Sequence, residues 1–160
     1  MADWTTNSIM FWQDSGGTYR KVTDHNRSEL SESVERLENK QRMADGTLRR
    51  YSVSKKRTWS CDWSMLPSTN SVTNGLTTAD GGWAGEDIEN FHNITDGSFR
   101  MILRRGSASG KTAPNPADTA LPYRDSDFYI VKVMIVDFTK SVVKRGTVDL
   151  WDISISLEEV

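Results

Sequence analysis

Residues 56–67 alternate without a break, and no other stretch constrains the fold as tightly. Trp59, Cys61, Trp63 and Met65 fall on one side, and Thr58, Ser60, Asp62 and Ser64 on the other. That is the period of two of a strand with one buried face, whereas a helix would scatter the four apolar residues around its axis. Two tryptophans on one strand face carry a large apolar area, which predicts a strand at the centre of the core with the rest of the chain packed against it.

With 160 residues, only 36% of them hydrophobic, the chain is expected to form one domain over 1–160 whose apolar content is concentrated in six tryptophans. Twenty basic against 22 acidic residues give a formal charge of −2, which argues against a protein that grips a nucleic-acid backbone over its whole surface. The single cysteine excludes an intramolecular disulfide, and the absence of a long hydrophobic run leads us to expect a chain made and folded in a reducing cytoplasm.

In chain order, residues 9–12 and 18–22 read as a hairpin about Asp14, Ser15, Gly16 and Gly17, the two glycines supplying positive φ. Residues 28–42 admit two readings. Leu30, Val34 and Leu37 have helical spacing, while Leu30, Glu32, Val34 and Arg36 share a strand face. After a polar connector over 68–82, residues 83–92 predict a helix with Asp80 as cap, Glu86 and Asp87 in the first turns, and Ala84, Ile88 and Phe91 inward. Residues 98–104 predict a strand, and 128–138 a nearly continuous apolar strand buried on both faces. A turn over 140–146 then leads into 148–157, where Trp151, Ile153, Ile155 and Leu157 oppose Asp152, Ser154 and Ser156.

Few residues suggest chemistry. Gly106 to Thr112 looks like a phosphate-binding loop, but only three residues separate its glycines, and Pro114 and Pro116 forbid the helix that would hold the phosphates. A loop between strands is the better reading. His25 and His92 lack the companions that a metal site needs, and Cys61, between two inward tryptophans, predicts a buried inert thiol. No cofactor, metal site or catalytic residue is expected.

Residues 42–57 stand out by charge. Arg42, Arg49, Arg50, Lys55, Lys56 and Arg57 accompany a single acid, Asp45, and the Asp45-Gly46 turn predicts an extended arm over about 38–57 whose return, 48–54, is set off from the tryptophan strand by Lys55 and Lys56. A solvated edge that discourages strand pairing and a surface for an acidic partner are both open readings.

Here the run Arg42-Met43-Ala44-Asp45-Gly46-Thr47-Leu48-Arg49-Arg50-Tyr51, followed by Lys56-Arg57-Thr58-Trp59-Ser60, resembles the tail tube and related virion tail proteins of tailed bacteriophages. The resemblance implies a mainly β, antiparallel β-sandwich or barrel with one flanking α-helix and long loops. It also implies a structural, non-enzymatic virion protein, made in the host cytoplasm, that self-assembles into homo-oligomeric rings, hexameric by that resemblance. The sheets would join to line a channel for DNA, which passes without sequence-specific binding; other tail proteins would be partners, and no membrane is involved. Arg42, Met43, Asp45, Gly46, Leu48, Arg49, Arg50 and Tyr51 are then expected at the subunit interface, and Thr58, Ser60, Asp62 and Ser64 toward the lumen. The alternatives are another tail ring component, such as a terminator or baseplate hub, or a small β-sandwich enzyme or ligand-binding module, which a closed concave pocket would favour.

Overall fold

The computed structural model describes residues 9–69, 78, 81–105, 120–146 and 149–160. Strands β1 (Met10–Gln13), β2 (Tyr19–Lys21), β3 (Ser31–Arg42) and β4 (Leu48–Pro67) are followed by helix α1 (Gly85–Ile94). The chain continues through β5 (Phe99–Arg104), β6 (Tyr123–Arg124), β7 (Phe128–Lys144) and β8 (Leu150–Glu159). They form one eight-stranded sheet in the order β2-β1-β5-β7-β8-β4-β3, with β6 beside β7, and every ladder is antiparallel. The expected fold class, mainly antiparallel β with one short flanking helix, is the observed one.

The alternation of Trp59, Cys61 and Trp63 places all three in the core, where Ile153, Ile155 and Leu157 of β8 join them from the neighbouring strand. The sheet curls over this face, so that Met10 and Trp12 of β1 and Phe99 and Met101 of β5 enter the same cluster, and α1 contributes Ile88 and Phe91. Trp12 sits among rings: Phe91 lies 5.2 Å away, Phe99 5.4 Å, and Trp83 stands edge-on at 6.4 Å. Each large side chain removed from water in this way stabilises the fold by about 1.5–3 kcal/mol. A second, smaller cluster of Phe11, Tyr19, Ile102, Phe128 and Ile130 lies on the other side of β1, β5 and β7, which leaves β5 buried on both faces.

Helix α1 starts at Ala84, whose N–H donates to Asp87 Oδ2 at 3.1 Å, with Glu86 and Asp87 in the first turn where the helix dipole favours acids. Gly85 lets this turn approach Trp151, since a Cβ there would lie 2.7 Å from the indole Cε3. The expected cap, Asp80, lies outside the described residues, and Ala84 occupies the cap position.

Of the two readings of 28–42 the strand is the observed one over 31–42, which pair along their whole length with β4. Several other expectations are corrected. Lys55 and Lys56 do not separate two segments, since β4 runs through them to a length of 20 residues. Met65 does not continue the inward row: its φ is +53°, the ladder shifts between Trp63 and Leu66, and fully buried Leu66 takes the inward place. In β7 both faces are buried only from Phe128 to Val131, where flanking clusters cover them, and Met134 and Val136 are exposed. Residues 140–144 belong to β7 and pair with β8 instead of turning. In the first hairpin only Gly17 has positive φ, and Asp14 Oδ1 closes the turn by accepting the N–H groups of Gly16 and Thr18. Residues 70–77 of the connector and the 106–112 run lie outside the described residues.

Candidate functional site: an arm and a polar sheet face

β8 pairs with β4 from Thr58 to Pro67, while on the other side β3 runs beside it only from Leu48 to Ser60, and residues 26–28 continue along Asp62 to Ser64. Residues 48–57 pair with β3 alone. The β3–β4 hairpin therefore leaves the body as a two-stranded arm, ten residues of β4 or about 33 Å long at the usual rise per residue. Its base is tied down. Arg57 donates from Nη1 to the Tyr129 hydroxyl at 3.1 Å and pairs through Nε with Glu32 at 3.0 Å, its backbone N–H donates to Glu159 Oε2, and Lys56 Nζ donates to the Val160 carbonyl at 2.7 Å.

All eight residues expected at an interface lie at the tip of this arm. Gly46, with φ +86°, closes the turn, its N–H donating to the Met43 carbonyl and Asp45 Oδ1 accepting from Thr47 N–H. Arg42 Nη1 donates to the Gly46 carbonyl at 2.9 Å, and Arg50 lies 3.4 Å from Glu38, which also holds Lys40 at 2.8 Å. Those two neighbours, the Lys40 hydrogen bond first, keep the Glu38 carboxyl below the usual glutamate range. Arg49 is exposed, as are Met43, Leu48, Tyr51 and Val53, the last two by 73% and 70%. An isolated two-stranded ribbon is at best marginally stable in water, and this one presents apolar side chains on a basic background.

The four residues expected toward a lumen share one open face of the sheet. Ser60, Asp62 and Ser64 are exposed and Thr58 is half-buried against the hydroxyl of Ser33, its short hydrogen-bond partner. Register extends that face across three neighbours. Ser60 lies between Ser31 and Ser156, and Asp62 lies beside Ser154, which in turn faces Thr139. Asp152 and Ser141 form the next row. A shallow cleft of about 470 Å³ on this face is lined by the hydroxyl residues Ser31, Ser33, Thr58, Ser60 and Ser156 together with Glu32 and the apolar Trp59, Val136 and Leu157. Thr139 and Ser141 are the members that sequence reasoning missed; their alternation with Phe138, Lys140 and Val142 was the available signal, hidden by the resemblance of 140–146 to a turn.

This four-stranded part of the sheet has two edges without a strand partner among the described residues. One is the outer side of β3, and the other is β7 beyond Val133, where β5 ends. Neither the arm nor the polar face gathers chemistry. No group of three histidine, cysteine or acidic side chains is placed to hold a metal among the described residues, and burial pushes the Cys61 thiol up to about 12. His92 stacks on Phe138 with centroids 4.8 Å apart, and no described helix is long and apolar enough to cross a membrane.

No family model and no curated protein matches the chain in sequence. Among solved structures, the fold is similar to that of a chain in the tail of an empty GTA particle determined with helical refinement and C6 symmetry. The match covers 96% of this chain and 91% of the other, with a TM-score of 0.51 and 9% sequence identity. The two share an architecture over nearly their whole lengths.

Proposed function

We propose that this protein is a structural subunit of a phage-type tail that assembles into stacked rings forming a tube, the channel through which DNA passes. The observation that carries the reading is the four-stranded face of β7, β8, β4 and β3, polar on one side and open at both edges. The outer side of β3, of which Ser31 to Ser33 lie beside the body and the rest along the arm, and the eleven residues of β7 from Met134 to Lys144 offer open edges, so that β3 of one copy can extend the sheet of the next by backbone hydrogen bonds. Repeated around an axis, such heterologous contacts close a ring. The sixfold symmetry of the GTA tail with the same architecture supports a six-membered ring.

In that ring the hydroxyl-rich face lines the lumen. Its central rows hold Asp62, Asp152 and Asp137 beside serines and threonines, and on that side of β4 the first lysine is Lys56, two residues before Thr58 at the base of the arm. Arginines there would pair with phosphates and retard the cargo, whereas small hydroxyls and acids leave DNA free to slide. Purified protein viewed by negative-stain electron microscopy should show annular rings or tubes with a central hole. Asp62→Arg should fold and assemble normally, and its tubes should retain a DNA fragment that wild-type tubes release. Particles that remain monomeric across the accessible concentration range would overturn the proposal, and an Asp62→Arg tube with unaltered DNA retention would remove this face from the lumen.

A further inference from the structure

We infer that the end of the core beside β6 carries a binding site for a single oxyanion, a phosphate or a carboxylate group, held by Arg105, Arg124 and Tyr129. The site is separate from the tube: it belongs to the inner face of the sheet, and neither the arm tip nor the open polar face takes part. Register builds it. Tyr129 of β7 lies directly opposite Leu103 of β5 on one side and Arg124 of β6 on the other, so the three side chains stand in one row on one face. Arg105 follows Leu103 by two positions and returns to that face, its N–H continuing the ladder to the Asp127 carbonyl at 2.9 Å. The curl of the sheet brings Glu32 of β3 to the same place, and these five residues line a cavity of about 160 Å³. Beside it the core closes, the Tyr129 ring lying 6.0 Å from Trp59 and Leu103 packing against the same cluster.

The charges at this cavity do not balance. Glu32 is the one acid lining it among the described residues, and its carboxylate already takes Arg57 Nε at 3.0 Å. Neither Arg105 nor Arg124 makes an ion pair among the described residues. Asp125 does not answer Arg105, because one of its oxygens accepts from the Tyr123 hydroxyl at 2.6 Å and the other from the N–H groups of Asp127 and Phe128 at 2.7 and 2.6 Å. Those contacts, the Tyr123 hydroxyl first, hold the Asp125 carboxyl below the usual aspartate range, and Arg105 contributes least. Arg57 and Arg124 lie over the Tyr129 ring, 5.5 and 5.9 Å from its centroid, so cation–π attraction helps to hold two guanidinium groups at the site. Arg57 also donates to the Tyr129 hydroxyl at 3.1 Å, which leaves the hydroxyl's own hydrogen to point elsewhere. Burial above all raises this phenol from its ordinary value, and it remains a donor at neutral pH. Two guanidinium forks and a hydroxyl thus line a space whose carboxylate is already engaged, and such forks match the paired oxygens of carboxylate and phosphate. The volume is well below the roughly 300–1,000 Å³ that encloses a whole small molecule, so the ligand is one oxyanion group, either a free phosphate ion or the end of an acidic side chain of a protein partner.

The test titrates the full chain with inorganic phosphate at constant ionic strength and follows the arginine Nε–H resonances and the Tyr129 ring by NMR. The Arg105, Arg124 and Tyr129 signals should shift together and saturate as one site. Arg105→Gln with Arg124→Gln, both at exposed positions and first checked for a wild-type melt, should weaken binding by about tenfold or more, since each guanidinium supplies charge-assisted hydrogen bonds. Arg124→Lys keeps the charge without the fork and should cost about threefold. Arg49→Gln with Arg50→Gln removes the same charge from the arm and should leave the affinity within about twofold of wild type, because exposed charges that far away are screened. Shifts that grow without saturation would overturn the inference, as would equal affinity in the Arg105 and Arg124 variant or an equal loss in the arm variant. A second titration with an acetylated, amidated diglutamate peptide separates the sources. Tighter binding of the peptide than of phosphate supports the site and assigns it to an acidic protein segment, the reverse order supports it and assigns it to the free ion, and binding of neither overturns it. Rings are not needed for either titration, so the outcome is independent of whether the chain forms a tube.

Discussion

The two halves of β4 are covalently one strand and physically two different objects. Residues 58–67 pair with β8, with β3 on the other side as far as Ser60 and residues 26–28 beyond it, and they alternate up to Ser64, with Trp59, Cys61 and Trp63 buried and Ser60, Asp62 and Ser64 exposed. Residues 48–57 have one neighbour, β3, and no residue among them is buried. Each half has a hydrogen-bond ladder along its length, and what decides burial is the number of layers. The body half is covered by β1, β5 and α1, whereas among the described residues nothing buries either side of the arm. A strand does not become core by being regular; it becomes core when a second layer takes its apolar face out of water.

The comparison breaks first if the body half is not the keystone. Trp63 is 1% exposed and its indole N–H donates to the Thr23 carbonyl at 2.9 Å, so Trp63→Ala should lower unfolding free energy by about 3–5 kcal/mol in a denaturant titration. A midpoint within error of wild type would mean that this half is no more essential than the arm.

A second, smaller effect tests the layer that covers it. At Gly85 an added methyl would meet Trp151, so Gly85→Ala should destabilise by about 1–3 kcal/mol through overpacking. That exceeds the gain of at most about 1 kcal/mol that alanine has over glycine in a helix. A higher melting temperature would show that α1 can lift off the sheet without loss.

On the arm the same kind of measurement should register almost nothing. Arg49→Glu with Arg50→Glu should shift the stability of the monomer by no more than about 0.5 kcal/mol, because both side chains are exposed and exposed ion pairs contribute little. Amide hydrogen exchange sharpens the contrast: in free monomer the amides of 49–56 should exchange much faster than those of 59–63, and equal protection would show that the arm is covered after all.

The smallest effect is a titration. Glu38 is held below its ordinary value by the Lys40 hydrogen bond and by the charges of Lys40, Arg50 and Arg36. A depressed carboxyl stabilises the folded state above the unfolded value of about 4.3 and loses that contribution as pH falls through the folded one. Lys40→Met should therefore raise the Glu38 value seen by carboxyl NMR and flatten the acid limb of arm exchange, with no effect on the Trp63 region. An unchanged titration would place Lys40 in solvent and not on Glu38.

Much of this was legible before any coordinates. Period-two alternation identified the inward faces of β4 and β8, because a strand has only two faces and Trp151, Ile153, Ile155 and Leu157 leave no choice between them. The Asp45-Gly46 turn and the density of cations marked the arm, since local turn chemistry and charge need no tertiary context. The eight residues about the Asp45-Gly46 turn share the arm tip, and Thr58, Ser60, Asp62 and Ser64 share one side of β4, as turn chemistry and alternation require.

Other features depended on partners far away in the chain. Residues 31–42 have helical and strand spacing at once, and pairing with β4 decided between them, since tertiary hydrogen bonds outweigh the small differences in intrinsic propensity. The bulge at Met65 exchanged it for Leu66, and only the register against Trp151 requires that exchange. Residues 140–144 look like part of a turn by composition and are strand because β8 lies beside them. The sequence by itself determined which residues share a face, as alternation and turn chemistry act over a few bonds. Which faces meet, which edges stay open and how far the arm stands clear of the body were decided by the tertiary structure, because those follow from layers and registers that join residues up to a hundred positions apart.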